Sequence, residues 1–252
     1  MTFGSGSNIL DFENETSTPN LTPSSQQLPV EKQTIQPLQT VALKENETVY
    51  SEGDMPKGLY IVKSGAVKVY VNRKRARGRI ASPEFMTKVL GPGDIFGYQA
   101  LIKSSPHNEV VKTLKPTELA IYSKDSVMAS MRPSPVGQPS VGQSLMLQMV
   151  KDLERKEKDS ELHYLASVQE RIAYQLVLLA DKFGTADGKG IHIDLKLTRN
   201  ELAQLAGTIN ESLSRHLTEL KAEGIIELAG KEIIVKNKAA LFDRSGNFSG
   251  RA

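Results

Sequence analysis

The 252-residue chain contains no cysteine. Its absence removes disulfides, thiolate metal ligands, cysteine-held iron–sulfur clusters and cysteine nucleophiles. Histidine is scarce: His107, His163, His192 and His216 lie far apart, with no short metal-ligand spacing, so no metal site is expected. No apolar run approaches the roughly 20 residues that cross a bilayer, so no membrane association is expected. The start, Met1-Thr2-Phe3-Gly4-Ser5, lacks a basic region followed by an apolar stretch. No secretory signal is therefore expected, and the expected compartment is the cytoplasm. An excess of charge of one sign is also small, with 32 Lys and Arg against 29 Asp and Glu. With a net charge of +3, polyanion binding has to come from a local patch. There is no Gly-x-Ser-x-Gly elbow and no phosphate-cradling glycine loop, so no catalysis, catalytic residue or cofactor is expected.

What is present is ordinary for a globular protein: 39% hydrophobic and 24% charged residues. Residues 1–36, rich in Ser, Thr, Asn, Gln and Pro, read as a disordered arm, because they bury too little surface to offset ordering entropy. Residues 243–252 read as a flexible tail. Over 37–143, short β-rich runs alternate with turn residues, as in Leu59-Tyr-Ile-Val62, Ser64-Gly65 and Ala66-Val-Lys-Val-Tyr-Val71. That spacing predicts a small antiparallel β-barrel or jelly roll. The Pro- and Gly-rich stretch 131–143 is a break, and a helix follows over 144–166 with Leu145, Met149, Val150 and Leu153 as an apolar stripe. A second helix is predicted over 168–183, then a loop at 184–190 and a strand at 191–195. The fold class is α+β.

Residues 198–221 carry the sharpest signal. Thr198-Arg-Asn-Glu201 has the form of a capping box and opens a helix with Leu202, Leu205 and Ala206 inward. Gly207 marks a tight turn, and Thr208-Ile-Asn-Glu211 repeats the box before a helix with Leu213, Leu217 and Leu220 on one face. Glu211, Ser214, Arg215 and Thr218 fall on the other. Ile225-Ile-Glu227, Gly230 and Ile233-Ile-Val235 then read as a β-hairpin, which makes 167–242 a winged helix-turn-helix. Arg215 suits bidentate bonding to guanine, and Glu211 either accepts from cytosine N4 or only closes its box. Between residues 168 and 242, ten basic residues face ten acidic ones. Phosphate contacts must therefore come from placement, with Arg199 near the first helix and Lys231 in the wing turn. Thr208, Asn210 and Ser214 complete the candidate DNA-binding set.

The order of parts resembles the Crp–Fnr superfamily of bacterial transcription regulators over roughly residues 38–242. The likeness rests on Gly53, Gly65, Gly91-Pro-Gly-Asp-Ile-Phe-Gly97, Arg171-Ile-Ala173, the run 197–207 and Glu211-Ser-Leu-Ser-Arg215. The last signature is similar to the Fnr-like branch, whose helix reads a TTGAT-type half-site. Asn210 stands where catabolite-activator proteins carry a further base-reading arginine. The resemblance implies a homodimer formed by helix 144–166, with two recognition helices entering major grooves roughly 34 Å apart on a palindrome. RNA polymerase is a further implied partner. Leu145, Met149 and Leu153 serve either that dimer or packing on their own β-roll.

The resemblance also frames the effector. Cyclic-nucleotide-binding members place a glutamate just after the glycine matching Gly97, then Arg-Ser further along. Here Tyr98, with Gln99 beside it, and Asn108-Glu109 stand at those places, and Lys156 and Glu157 stand where the long helix meets a purine. An anionic phosphate facing Glu109 without an arginine is electrostatically unfavourable, so an effector other than cAMP, or none, is expected. The cyanobacterial nitrogen regulator senses a dicarboxylate with a glutamate and an arginine; Glu157 falls at the glutamate position, but Asp152 replaces the arginine. His107 is the only haem-ligand candidate in the roll and reads as a surface-loop residue. Arg73-Lys-Arg-Ala-Arg-Gly-Arg79 is a basic hairpin tip, either a solvated turn or a contact with an anion or flanking DNA. A cyclic-nucleotide module acting through a protein partner is the alternative function. A cupin-type enzyme would need clustered His and carboxylates that the roll lacks.

Overall fold

The structure is a computed structural model and describes residues 37–71, 85–130 and 141–246. The arm expected over 1–36 and the basic run 73–79 lie outside these residues.

Among its described residues the first half holds eight strands: β1 (Gln39–Leu43), β2 (Thr48–Tyr50), β3 (Leu59–Ser64), β4 (Val67–Val71), β5 (Phe85–Leu90), β6 (Ile95–Phe96), β7 (Val110–Thr113) and β8 (Thr117–Tyr122). They form two four-stranded antiparallel sheets, ordered β1-β8-β3-β6 and β2-β7-β4-β5. Helix α1 (Tyr98–Lys103) follows β6, and α2 (Lys124–Ser130) follows β8. Next come the long α3 (Val141–Leu165), α4 (Val168–Phe183), the hairpin β9 (Gly184–Asp187) and β10 (Gly190–Ile193), α5 (Arg199–Leu205) and α6 (Asn210–Ala222). The wing β11 (Ile226–Ala229) and β12 (Glu232–Val235) and a final helix α7 (Lys238–Arg244) end the described chain. The third sheet runs β11-β12-β10-β9.

Strand alternation explains how the layers stack. Side chains two apart share a face. In β3, Tyr60 and Val62 point between the sheets, while Leu59 and Ile61 pack against α1, α2 and the start of α3. In β4, Val67 and Val69 fill the space between the sheets, and Tyr70 packs against the helices of the second half. Lys68 shares the Tyr70 face, so the strand period itself aims a cation at those helices. One apolar core joins the halves, uniting Tyr70, Met86 and Val89 with Leu176, Leu202 and Leu217. Each such side chain contributes about 1.5–3 kcal/mol when fully removed from water. At Gly91 a Cβ would fall 2.6 Å from Phe183 Cε1, so the turn after β5 reaches α4 only because it lacks a side chain.

Four boundaries differ from the sequence reading. The long helix begins at Val141, inside the segment expected to be a break, and the rest of that segment lies outside the described residues. Residues 184–187, expected as loop, pair with β10 around an Asp187 turn whose carboxylate accepts from Lys189 and Gly190 backbone N–H groups. The strand expected over 191–195 ends at Ile193. Asp243 and Arg244, expected in a flexible tail, belong to α7, and Ser245 is fully buried; the rest of that tail, 247–252, lies outside the described residues.

Candidate nucleic-acid interface

Helix α5 opens on the expected capping box. The Thr198 side chain accepts from the Glu201 N–H, and the Glu201 carboxylate accepts from the Thr198 N–H at 2.8 Å. Gly207, at φ +61°, makes the turn that sends the chain into α6. Leu213, Leu217 and Leu220 are buried, fixing which face of α6 is presented outward. Asn210, Glu211, Ser214, Arg215 and Thr218 are exposed on that outward face, and Thr208 is half-buried just before it. The second capping box is not formed: α6 is capped at Ile209, with no side-chain cap bond, because the left-handed Gly207 moves the helix start one residue past Thr208. Glu211 is therefore not consumed by capping and sits in the first turn, where the helix dipole favours an anion.

Two arginines act differently from a plain surface charge. Arg171 donates to the carbonyl oxygens of Ala166 (2.9 Å), Ala206 (3.1 Å) and Gly207 (3.2 Å), tying the end of α3 to the turn before α6. Arg199, expected at a phosphate, is half-buried and donates to Gly230 O in the wing turn at 3.4 Å. It therefore positions the wing, whose neighbouring Lys231 is exposed.

The α5–α6 unit is fastened to the roll. Lys68 Nζ lies 2.7 Å from Glu201 Oε1, with both side chains only about a tenth exposed (11% and 10%). Tyr70 Oη donates to the same oxygen at 2.8 Å. Burial works against the Glu201 charge, but the bonds from Lys68, Thr198 and Tyr70 outweigh it and hold the carboxyl down at about 2. The Gln204 side chain accepts the Met86 N–H of edge strand β5 at 2.8 Å, covering an otherwise open sheet edge. Lys182–Asp94 and Lys115–Asp194 pairs flank the contact.

The expected effector positions divide. Tyr98, Gln99, Asn108 and Glu109 do come together, around a cavity of only about 10 Å³. Lys156 and Glu157 do not join them and stand exposed on α3. The α3 residue that meets this site is Asp152, which accepts from Tyr98 Oη at 2.5 Å. Burial, and then the Asp152 bond and charge, push the Tyr98 phenol up. Glu109 accepts from Tyr50 Oη at 2.7 Å. His107 is not a surface-loop residue: it is 4% exposed and stacks on Tyr50 with ring centroids 3.6 Å apart. Burial lowers its pKa, against the pull of Glu109 and Asp54, and favours the neutral ring. Among the described residues no group of three or more His, Asp or Glu side chains is placed to hold a metal ion. No helix among them is long and apolar enough to cross a membrane.

Residues 170–244 match the family model of the Crp-like helix-turn-helix domain, and residues 40–133 match that of the cyclic nucleotide-binding domain. The chain belongs to the Crp–Fnr superfamily. A CRP-like cAMP-activated global transcriptional regulator of Mycobacterium tuberculosis is 29% identical over 208 residues, 82% of this chain and 88% of that protein. A cyclic AMP receptor protein of Thermus thermophilus is 26% identical over 197 residues, 78% and 83% of the two chains. Among solved structures, a CRP-family transcriptional regulator from Thermus thermophilus is similar with a TM-score of 0.65. At 22% identity over 82% of this chain and 96% of that one, it shows the shared fold.

Within this Crp–Fnr member, three residues of consequence escape a reading of the sequence. Ile209 is 64% exposed at the tip of α6. A spacing of four from buried Leu213 would turn its side chain inward, but it precedes the first helical turn and so leaves the buried stripe. Glu201 is legible as a cap and not as a partner of Lys68, which lies 133 positions away. Asp152 stands out in the sequence only as a replaced arginine. Its proximity to Tyr98 depends on where α3 crosses the roll.

Proposed function

We propose that this protein is a sequence-specific DNA-binding transcription regulator that acts as a homodimer on a palindrome with TTGAT-like half-sites. The observation that carries this reading is the exposed row Asn210, Glu211, Ser214 and Arg215 on a helix whose opposite face is locked by three buried leucines. Arg215 reads guanine O6 and N7, Glu211 accepts from cytosine N4, and the Ile209 side chain meets a thymine methyl group. Thr208, Lys231 and Arg199 serve placement, through phosphate contacts or by holding the wing. Dimerisation uses the outward face of α3, where Met146, Met149, Val150 and Leu153 are all exposed while Leu145 is buried in its own domain. RNA polymerase is the partner through which such a protein acts.

The protein works with an effector other than cAMP, or with none. The named relatives are cAMP-responsive by their own descriptions. Here the corresponding cavity is about 10 Å³, far below the roughly 300 Å³ at which ligand pockets begin, and Glu109 rather than an arginine borders it. Selection of bound sites from random duplex DNA, with the purified protein at moderate salt and no added ligand, tests the reading. Enrichment of a palindrome with TTGAT-like arms supports it, and failure to enrich any motif with or without effectors overturns it. Enrichment that requires cAMP overturns the effector assignment alone.

A further inference from the structure

A groove of about 530 Å³ lies between α3 and α4, far larger than the cavity beside Tyr98. Its floor is apolar: Val89 from β5, Leu178, Leu179 and Phe183 from α4, and Leu205 from α5. Its α3 wall carries Lys151, Arg155 and Lys158, spaced i, i+4, i+7 and therefore on one face of the helix. At 3.6 residues per turn that face lies well away from the one bearing Met146, Met149, Val150 and Leu153. The groove therefore faces away from the proposed dimer seam.

Its charge is also decided. Of the two carboxylates on its rim, Asp181 is taken by Lys238, which leaves Glu154. Lys182 is taken by Asp94, and Arg155 lies 3.9 Å from Asp159. Lys158 Nζ sits 5.7 Å above the Tyr174 ring, held over the groove wall, and Lys151 stands two turns earlier on the same side. The groove continues into a second hollow of about 650 Å³ that shares Arg155, Gln175 and Leu205 and reaches Gly207 and Thr208. A cationic rim over an apolar floor selects one chemistry: an anionic head on a hydrocarbon body.

We infer that the α3–α4 groove is the small-molecule site of this protein and takes an amphipathic organic anion of the fatty-carboxylate class. The carboxylate lies against Lys151 and Lys158, and the chain lies over Leu178, Leu179 and Phe183. Because the same space borders the turn before α6, an occupant touches the reading unit and the roll together. The inference deepens the regulator reading by naming its effector class, and it is tested without DNA.

The probe is 11-(dansylamino)undecanoate, whose fluorescence rises in an apolar site, titrated into the full chain. Saturable binding at one site per chain is expected, with dodecanoate displacing it at least about tenfold better than uncharged dodecanol. Reversing the rim with Lys151→Glu and Lys158→Glu is expected to weaken binding by roughly tenfold or more, and the exposed Lys151→Glu alone, with an unchanged thermal melt, by a smaller factor in the same direction. Leu178→Trp fills the floor and is expected to abolish binding. Equal displacement by dodecanol, full affinity in any of these variants, or no saturable binding overturns the assignment. So does loss of probe binding as protein concentration rises, which would show a second copy covering the groove. Arg215→Ala separates the two readings, since it removes sequence-specific DNA binding and leaves probe affinity unchanged. A chain that binds the probe but selects no DNA site loses the regulator reading and keeps the groove.

Discussion

Lys68 and Glu201 are the pair whose removal says most about how the two halves hold together. Both side chains are about nine-tenths buried and 2.7 Å apart. Breaking a buried pair costs about 3–5 kcal/mol when the surviving charge is left alone. In Lys68→Met the Glu201 carboxylate keeps its bonds from Thr198 and Tyr70, so the expected cost is lower, about 2–3 kcal/mol. Glu201→Gln preserves shape, and glutamine also closes a capping box, but the charge-assisted bond is lost at about 1.5–3 kcal/mol. The double variant has neither orphaned charge and should be less destabilised than the sum by about 1–3 kcal/mol. Thermal melts at neutral pH of the four proteins measure this, with about 2–4 °C of midpoint shift per kcal/mol for a chain of this size. The pH dependence has a fixed sign. Glu201 is held below its ordinary value, so its contribution is complete above about pH 4.5 and is lost as pH falls toward about 2. The gap between wild type and Glu201→Gln should narrow over that window and not above it. Strict additivity of the single variants, or a gap that stays constant down to pH 2, would refute the assignment of this pair as the latch.

Three further outcomes are expected. Arg215→Ala should weaken binding to the selected site by about 1–3 kcal/mol per half-site in a gel-shift titration, with random duplex bound as before; equal loss on both would assign Arg215 to phosphate. Replacing thymine by deoxyuridine at each site position should cost wild type about 0.8 kcal/mol at one position per half-site, and that sensitivity should vanish in Ile209→Ala. Sensitivity that persists in the variant would place the methyl contact elsewhere. Val150→Asp with Leu153→Asp should convert a dimer to a monomer in sedimentation and remove palindrome binding, because both residues are half or more exposed and leave the protomer core untouched. A dimer of unchanged stability would move the interface off α3.

Local signals were legible and long-range ones were not. The box at Thr198 needs only residues three apart, and the structure forms it. The box at Thr208 has the same letters, yet Gly207 displaces the helix start, a backbone effect that a spacing pattern does not contain. The helix predicted over 168–183 matches α4 to the residue, since Ser167 caps it with a complete box and buried positions recur along it. By contrast β7 has only four residues and β5 carries Thr87 and Lys88 in its middle, and both become strands through pairing with β4. Burial of His107 follows from its stack on Tyr50, 57 positions earlier in a chain that the sheet fold brings together. The exposed reading face was legible because one helix carries both its buried and its outward residues. The α3–α4 groove was not, because its walls come from elements that meet only through the docking of the winged helix on the roll.

Arg171 also sets the mechanics of the molecule. Its one planar guanidinium grips carbonyls at the foot of α3 and at the turn before α6, a geometry that lysine, with a single ammonium, does not reproduce. It behaves as the fulcrum of a lever. The 25-residue α3 is an arm of about 37 Å and the 13-residue α6 one of about 20 Å, at 1.5 Å per residue. A sideways shift at the far end of the long arm therefore arrives at the far end of α6, at Ala222, reduced by about half, while Ile209 and Asn210 beside the fulcrum hardly move. Displacements of a few ångströms among the exposed methionines of α3 would thereby change the tilt of the start of α6 and leave its position almost fixed.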